Sequence, residues 1–286
     1  MKKLLLITLS FSILSLFGCA TSSTAPKNIK ELDAQLIDSI KKTFESRGLS
    51  DIKVEVAMLQ QLDSPKGFYF YRVVLSAPAN NIPPTEQYLF YDGKFVASSF
   101  RDALTQEDLG SSLAFDYSKT DVDITGLSLL HGKAGAPNII VKITDFECPF
   151  CRRTNAYLEQ KLAGRDDVAV YIMNFPLSIH PNAIPFAKVF EAGSRMGSNF
   201  GSELFSNDAL LSFNEQQIID YFALRSGDEA KFKELYASEE IAALIPAQMQ
   251  RASALGVNAT PVLYINGKKI EGFNPPLMNR AFNTFK

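Results

Sequence analysis

The chain has 286 residues, 46% of them hydrophobic, and a formal net charge of −2. That length suits one large domain or two modest ones, and that apolar share can fill a core. Its lysines and arginines are scattered instead of forming a basic stripe, so no nucleic-acid partner is implied.

Residues 1–18 read as a signal peptide. Met1, Lys2 and Lys3 make a basic start, and residues 4–17 are apolar apart from Thr8 and three serines. That run is short for a membrane span and suits an export signal. Leu16, Phe17, Gly18 and Cys19 close it and resemble a bacterial lipobox, in which cleavage precedes a lipid-carrying cysteine. Phe17 is bulkier than the residue usual there. The resemblance implies export and a membrane anchor through lipid on Cys19; an ordinary secretory signal is the alternative. Residues 19–27 are small and polar, as a tether should be. Ala20 after Cys19 resembles the sorting pattern of outer-membrane lipoproteins in Gram-negative cells.

Residues 28–100 read as a small α+β domain. Asn28 caps a helix whose apolar residues Ile29, Leu32, Leu36, Ile37, Ile40 and Phe44 fall at helical spacing, and Gly48 closes it. Ile52, Val54, Val56 and Met58 alternate, which predicts a half-buried strand. Residues 68–75, aromatic and β-branched, predict a second. Residues 78–84 read as a loop. Asp92-Gly93, between strands at 87–91 and 94–98, signals a two-residue hairpin. Such a domain either spaces the rest from a membrane, or dimerises or binds substrate. Residues 101–120 are polar and poorly periodic and read as a linker with some helical character.

Residues 121–286 read as a second domain. An edge strand is expected within 121–130 and a turn at 131–137. Residues 139–143, 152–162 and 168–174 follow as strand, helix and strand, a βαβ unit. Helices are predicted over 181–196, 215–225, 228–236 and 238–255. Thr260-Pro261 then leads strand 262–265 through Asn266-Gly267, a type I′ signal, into strand 268–271. A helix over 275–285 closes the chain. The expected fold is an α/β thioredoxin-like domain with a helical insertion, preceded by the small α+β domain.

Chemistry concentrates in Cys148-Pro149-Phe150-Cys151, at a strand-to-helix turn. If Cys19 is lipidated, Cys148 and Cys151 are the cysteines left in the mature protein. Only a thiolate attacks, and a helix N-terminus lowers a thiol from about 8.5 to between about 3.5 and 7.5. Cys148 sits where that helix begins, and Pro149 suits the first turn because its missing N–H is not needed there. Cys148 is therefore the expected exposed nucleophile, and Cys151 the buried resolving thiol of a Cys148–Cys151 redox disulfide. Half a zinc site is the weaker reading of such a pair, since zinc takes about four ligands and beyond these cysteines the chain offers only His131 and His180; no metal and no cofactor are expected. Pro261 stands at a strand's first position, where a proline is tolerated. A cis bond there would bring Thr260 beside Cys148 as a backbone clamp for an extended substrate.

The run from Thr144 to Cys151, together with Thr260-Pro261 and Leu263-Tyr264-Ile265-Asn266-Gly267, resembles the DsbA/DsbC/DsbG group of exported thiol–disulfide oxidoreductases. Phe175-Pro176-Leu177 and His180-Pro181-Asn182-Ala183 are similar to the segment that follows the second strand in DsbA-like domains. The resemblance implies a dithiol enzyme on the periplasmic side of a membrane. Its implied partners are cysteine-containing exported proteins and a membrane redox protein. Residues 29–99 loosely resemble the isomerases' dimerisation domain, which implies a homodimer. Departures bear on direction. Phe150 replaces the oxidase's histidine, and Glu147 opposes a thiolate if poorly solvated. Lys142 stands where thioredoxin and the oxidase bury an acid; it is expected to snorkel or pair with a carboxylate, and to favour the thiolate. Thr260 resembles the isomerases. These features lean toward an isomerase or reductase, with a DsbA-like oxidase as the alternative and a binding or copper-handling lipoprotein as the alternative of another class. His180 is expected to be a helix-entry residue.

Overall fold

The computed structural model of the protein describes residues 28–49, 51–78 and 82–286. The expected signal peptide, the Cys19 lipidation site and the tether therefore lie outside the described residues. The chain divides into two compact units, Met1–Tyr117 and Ser118–Lys286.

The first unit is an antiparallel sheet with a helix on one face. Helix α1 (Ile29–Glu45) begins at Asn28, whose side chain accepts from the Glu31 N–H at 3.0 Å. Strands β1 (Lys53–Gln61), β2 (Tyr69–Ala77), β3 (Ile82–Tyr91) and β4 (Val96–Ala97) pair in that order. Alternation along β2 sets the two faces. Tyr71, Val73 and Leu75 meet Leu32, Leu36, Ile40 and Phe44 of α1. Phe70 points the other way, into a cluster with Leu62, Phe90 and Leu113. Leu113 belongs to helix α2 (Leu109–Tyr117), which lies inside the stretch that reads as a linker. Its buried residues Gly110, Ser112, Leu113 and Phe115 do not fall on one helical stripe, so periodicity gives it away only in part, as the expected partial helical character of the stretch.

Two local expectations in this unit are corrected. Tyr91 pairs with Val96 and Phe90 with Ala97, so the turn at Asp92-Gly93 spans four residues, not two. The Asp92 carboxylate decides this by accepting from the N–H groups of Lys94 at 2.8 Å and Phe95 at 2.6 Å, an Asx-type closure. Strand β3 also begins at Ile82, inside the expected loop.

The second unit is a five-stranded sheet in the order β5-β7-β6-β8-β9. Its edge strand β5 (Ser128–His131) is shorter than the expected segment. Strand β6 (Asn138–Thr144), helix α3 (Pro149–Leu162) and strand β7 (Val168–Asn174) form the βαβ unit, with β6 and β7 parallel. Helices α4 (Ala183–Arg195), α5 (Gly201–Ser206), α6 (Glu215–Ala223), α7 (Glu229–Tyr236) and α8 (Glu239–Ala254) make the insertion. Helix α5 was not expected; at six residues it is too short for helical periodicity to register. Strands β8 (Val262–Ile265) and β9 (Lys268–Glu271) form the last hairpin, and helix α9 (Pro275–Phe282) follows. Ile265 pairs with Lys268, and Asn266 and Gly267 both take positive φ, 46° and 84°, as a two-residue turn of this hand requires.

Period-two alternation again assigns the faces. Val141 and Ile143 of β6 join Tyr171, Met173, Val262, Tyr264 and Ala252 of α8 in one core. Lys142 points to the opposite face, where α3 and α5 lie. This is a thioredoxin-like α/β fold, with helices on both faces of a mixed sheet.

Candidate active site

Strand β6 delivers the chain to the site and Phe146 anchors it. Phe146 is buried, with its ring 4.4 Å from that of Phe205 and 5.3 Å from that of Phe190. Cys148 is the N-cap of α3, extended at φ −64° and ψ 124°, and Pro149 follows in the first turn. The Cys148 carbonyl accepts from the Arg152 N–H at 3.0 Å. Its side chain makes no cap bond, so the sulfur is left beside the free N–H groups of the helix start.

Cys148 and Cys151 are unpaired thiols. Cys148 is 5% exposed and Cys151 0%. The expected order of accessibility is present, but the nucleophile is more covered than expected. The Cys148 thiol lies 3.7 Å from the Thr260 carbonyl, with the Thr260–Pro261 peptide cis. A segment more than a hundred residues away in sequence thus closes over the sulfur.

The two thiols are driven apart in acidity. Cys148 falls well below its ordinary value, to about 5. The leading cause is a hydrogen bond from the Cys151 thiol, helped by the backbone N–H groups of Cys151 and Phe150 and by Thr260, and opposed by burial. The Thr260 hydroxyl is buried and has no other partner, which leaves its proton for the thiolate. Cys151 moves the other way, well above its ordinary value, because it is buried and because it donates to Cys148. One ready nucleophile over one held-back thiol is the arrangement needed for attack first and resolution second.

Lys142 neither snorkels nor pairs directly with a carboxylate. It is wholly buried, its Nζ donates to Asn155 Oδ1 at 3.0 Å, and it stands 3.5 Å over the Phe205 ring. Asn155 Nδ2 donates in turn to Glu159 at 3.0 Å, so the amide stands between lysine and acid. Burial brings the Lys142 ammonium down to about 7, against the pull of Cys151, Glu159 and Cys148. Asn155 and Glu159 were missed; their signal was the four-residue spacing after Cys151, which puts all three on one side of α3.

Glu147 lies beside the nucleophile, as expected. Its Oε2 accepts from the Asn182 N–H at 2.7 Å, and burial raises its carboxyl. Phe150 is 54% exposed and makes no ring stack with another aromatic among those described. Asp145 was also missed. Its side chain is fully buried and bonded to His180, so His180 does more than open a helix. An acid three residues before the nucleophile, at a strand's end, was the available signal.

A thioredoxin-like domain with a C-x-x-C pair at the start of α3 and a cis-proline across from it defines the thiol–disulfide oxidoreductases. The chain matches the family model described as Thioredoxin over residues 125–280, more than half its length, and it belongs to that family. It is 30% identical over 150 residues to the Na(+)/H(+) antiporter NhaA 1 of Mycolicibacterium gilvum, a match covering 50% of this chain and 24% of that protein. The chain thus spans about a quarter of the length of the antiporter relatives it matches. It is 27% identical over 155 residues to the probable disulfide bond formation protein D of Bacillus cereus, covering 48% of this chain and 68% of that one. Among solved structures it is similar to oxidised BdbD from Bacillus subtilis, with 21% identity, a TM-score of 0.46, and coverage of 58% and 96% of the two chains.

Proposed function

We propose that the protein is an exported thiol–disulfide oxidoreductase that exchanges disulfides with cysteine-containing polypeptides. The supporting observation is the placement of Cys148 at the start of α3 against the cis Thr260–Pro261 turn, with Cys151 wholly buried one turn on, an arrangement that lowers the first thiol and raises the second. Cys148 thiolate attacks a substrate disulfide; one substrate sulfur leaves as a thiol and the other is held in a mixed disulfide. Cys151 then gives up its proton and attacks Cys148, the mixed disulfide breaks, and the substrate departs reduced. Run backward, the same steps oxidise a substrate dithiol. Thr260, beside Pro261, offers its backbone to the substrate during both steps. Lipid on Cys19 holds the protein at the periplasmic face of a membrane, a membrane redox protein resets the dithiol, and the first unit serves as the dimerising part.

On direction, the supports divide. Phe150 between the cysteines and Thr260 before the proline favour an isomerase or reductase. The low Cys148 value favours an oxidase, because a stabilised thiolate stabilises the reduced dithiol and makes the disulfide the stronger oxidant. The Bacillus cereus relative, a probable disulfide bond formation protein, lies on the oxidase side. We place the couple between the two extremes.

Insulin reduction tests the activity. The purified protein should reduce insulin with dithiothreitol as donor; Cys148→Ser should abolish this, and Cys151→Ser should accumulate mixed disulfides with substrate. An inactive wild type refutes the reading. Trapping the cysteines in cells with an alkylating reagent separates the directions: mostly reduced for an isomerase or reductase, mostly oxidised for an oxidase.

A further inference from the structure

Two carboxylates border the loop that carries the nucleophile, and both are gripped by the segment that runs from β7 into α4. Asp145 Oδ1 accepts from the backbone N–H of Glu147 at 2.8 Å. Its Oδ2 accepts from the Leu177 N–H at 2.9 Å and from His180 Nδ1 at 2.7 Å. A carboxylate only accepts, so the proton of this last bond sits on Nδ1. The Asp145 carbonyl accepts from the Cys148 N–H at 3.3 Å. One residue therefore fixes both peptides leading into the reactive sulfur. Glu147, in turn, is tied to the Asn182 N–H. His180 is itself largely covered, its side chain 16% exposed, and its ring acts on the Glu147 carboxyl, as do Asp145 and Arg152.

We propose that His180 is a positioning residue of the dithiol, acting through Asp145 on the backbone and the charge next to Cys148. The inference rests on the dithiol reading above. A negative charge close to a thiolate opposes it. The imidazole N–H and the Leu177 N–H draw the charge of Asp145 toward the 175–182 segment, and the bond to Glu147 holds the preceding peptide so that the Cys148 sulfur faces the N–H groups of α3. Without the imidazole, Asp145 keeps its two backbone donors and loses its one side-chain partner, so the carboxylate is less compensated. The Cys148 thiolate loses support, and the reduced dithiol loses stability with it.

The experiment titrates the ultraviolet thiolate band of the reduced full chain in wild type, His180→Ala, His180→Leu and His180→Asn, with the thermal midpoint recorded for each and the reduction potential measured against glutathione. His180→Ala should move the Cys148 titration up by about half a unit to one unit, a three- to tenfold loss of thiolate at pH values below it. Its couple should become less oxidising. His180→Asn, whose amide can donate the same bond, should recover most of both. Should His180→Ala fail to fold, His180→Leu keeps the bulk without the donor and should show the same shift. A folded Ala or Leu variant that titrates like wild type overturns the inference, as does a folded Asn variant that recovers nothing. Those results leave the dithiol reading standing, provided wild-type Cys148 titrates low. A wild type that titrates as an ordinary thiol removes the dithiol reading and the role of His180 together.

Discussion

At the residue scale, the site sets charges against burial. Lys142 is the sharpest case, an ammonium sealed between a sheet and two helices with one amide and one ring as its company. Its lowered value means that the unfolded chain binds a proton between about pH 7 and 10.5 that the folded chain releases. Stability from this source therefore rises with pH across that window, and the full cost of burial is felt below it. Lys142→Met should stabilise the reduced protein at pH 7 by roughly 1–4 kcal/mol. The Asn155 carbonyl left unpaired trims that gain. Urea unfolding at a series of pH values checks it: the gain should shrink toward pH 10.5. Cys148, Cys151 and Pro261 were legible as residue types at set spacings. The pairing of Asp145 with His180 was not, because it joins segments 35 residues apart, and Asn155 was passed over although its four-residue spacing from Cys151 was there to read.

At the element scale, the βαβ unit and the last hairpin were legible because their signals are local: continuous apolar strands, a helix opened by a proline, and Asn-Gly between strands. The four-residue turn at Asp92 was not, since a side-chain bond decides it, and the helix Leu109–Tyr117 was legible only as some helical character in a linker, since tertiary packing fixes its bounds. The turn between β5 and β6 offers a test of packing against backbone conformation. Gly132 and Gly135 both have positive φ, 78° and 83°. A Cβ on Gly132 would collide with the Val168 carbonyl, whereas Gly135 faces open space. Gly135→Ala should thus cost only the left-handed penalty, about 1–2 kcal/mol. Gly132→Ala should cost clearly more, because β5 must separate from β7. Thermal unfolding of the two variants, side by side, measures the difference.

At the scale of the whole molecule, the two units have separate cores: Leu36, Tyr71 and Phe90 serve the first, Ile143, Met173 and Tyr264 the second. The residues of the candidate site, from Lys142 to Pro261, all belong to the second. A fragment of residues 118–286 should therefore unfold cooperatively and reduce insulin at close to the parent rate per dithiol. On the proposal that the first unit dimerises, an activity that needs two sites held together, such as repairing scrambled disulfides, should fall in the fragment. Circular dichroism melting with paired insulin and scrambled-ribonuclease assays checks both. The split into a small α+β part and a larger α/β part was legible in the sequence because the strand patterns change from alternating to continuously apolar. The approach of the Thr260 lid to Cys148 was legible from Pro261, but the extent to which the nucleophile is covered was not, because it depends on how closely the two segments pack.

That lid has a consequence for chemical damage. With Cys151 at 0% exposure, a peroxide reaching the site meets Cys148 first. The sulfenic acid it leaves there sits directly above a thiol. Cys151 can condense with it, expelling water and giving the ordinary disulfide before a second oxidation makes the lesion permanent. The same stacking of sulfurs that orders attack and release therefore makes the site self-repairing.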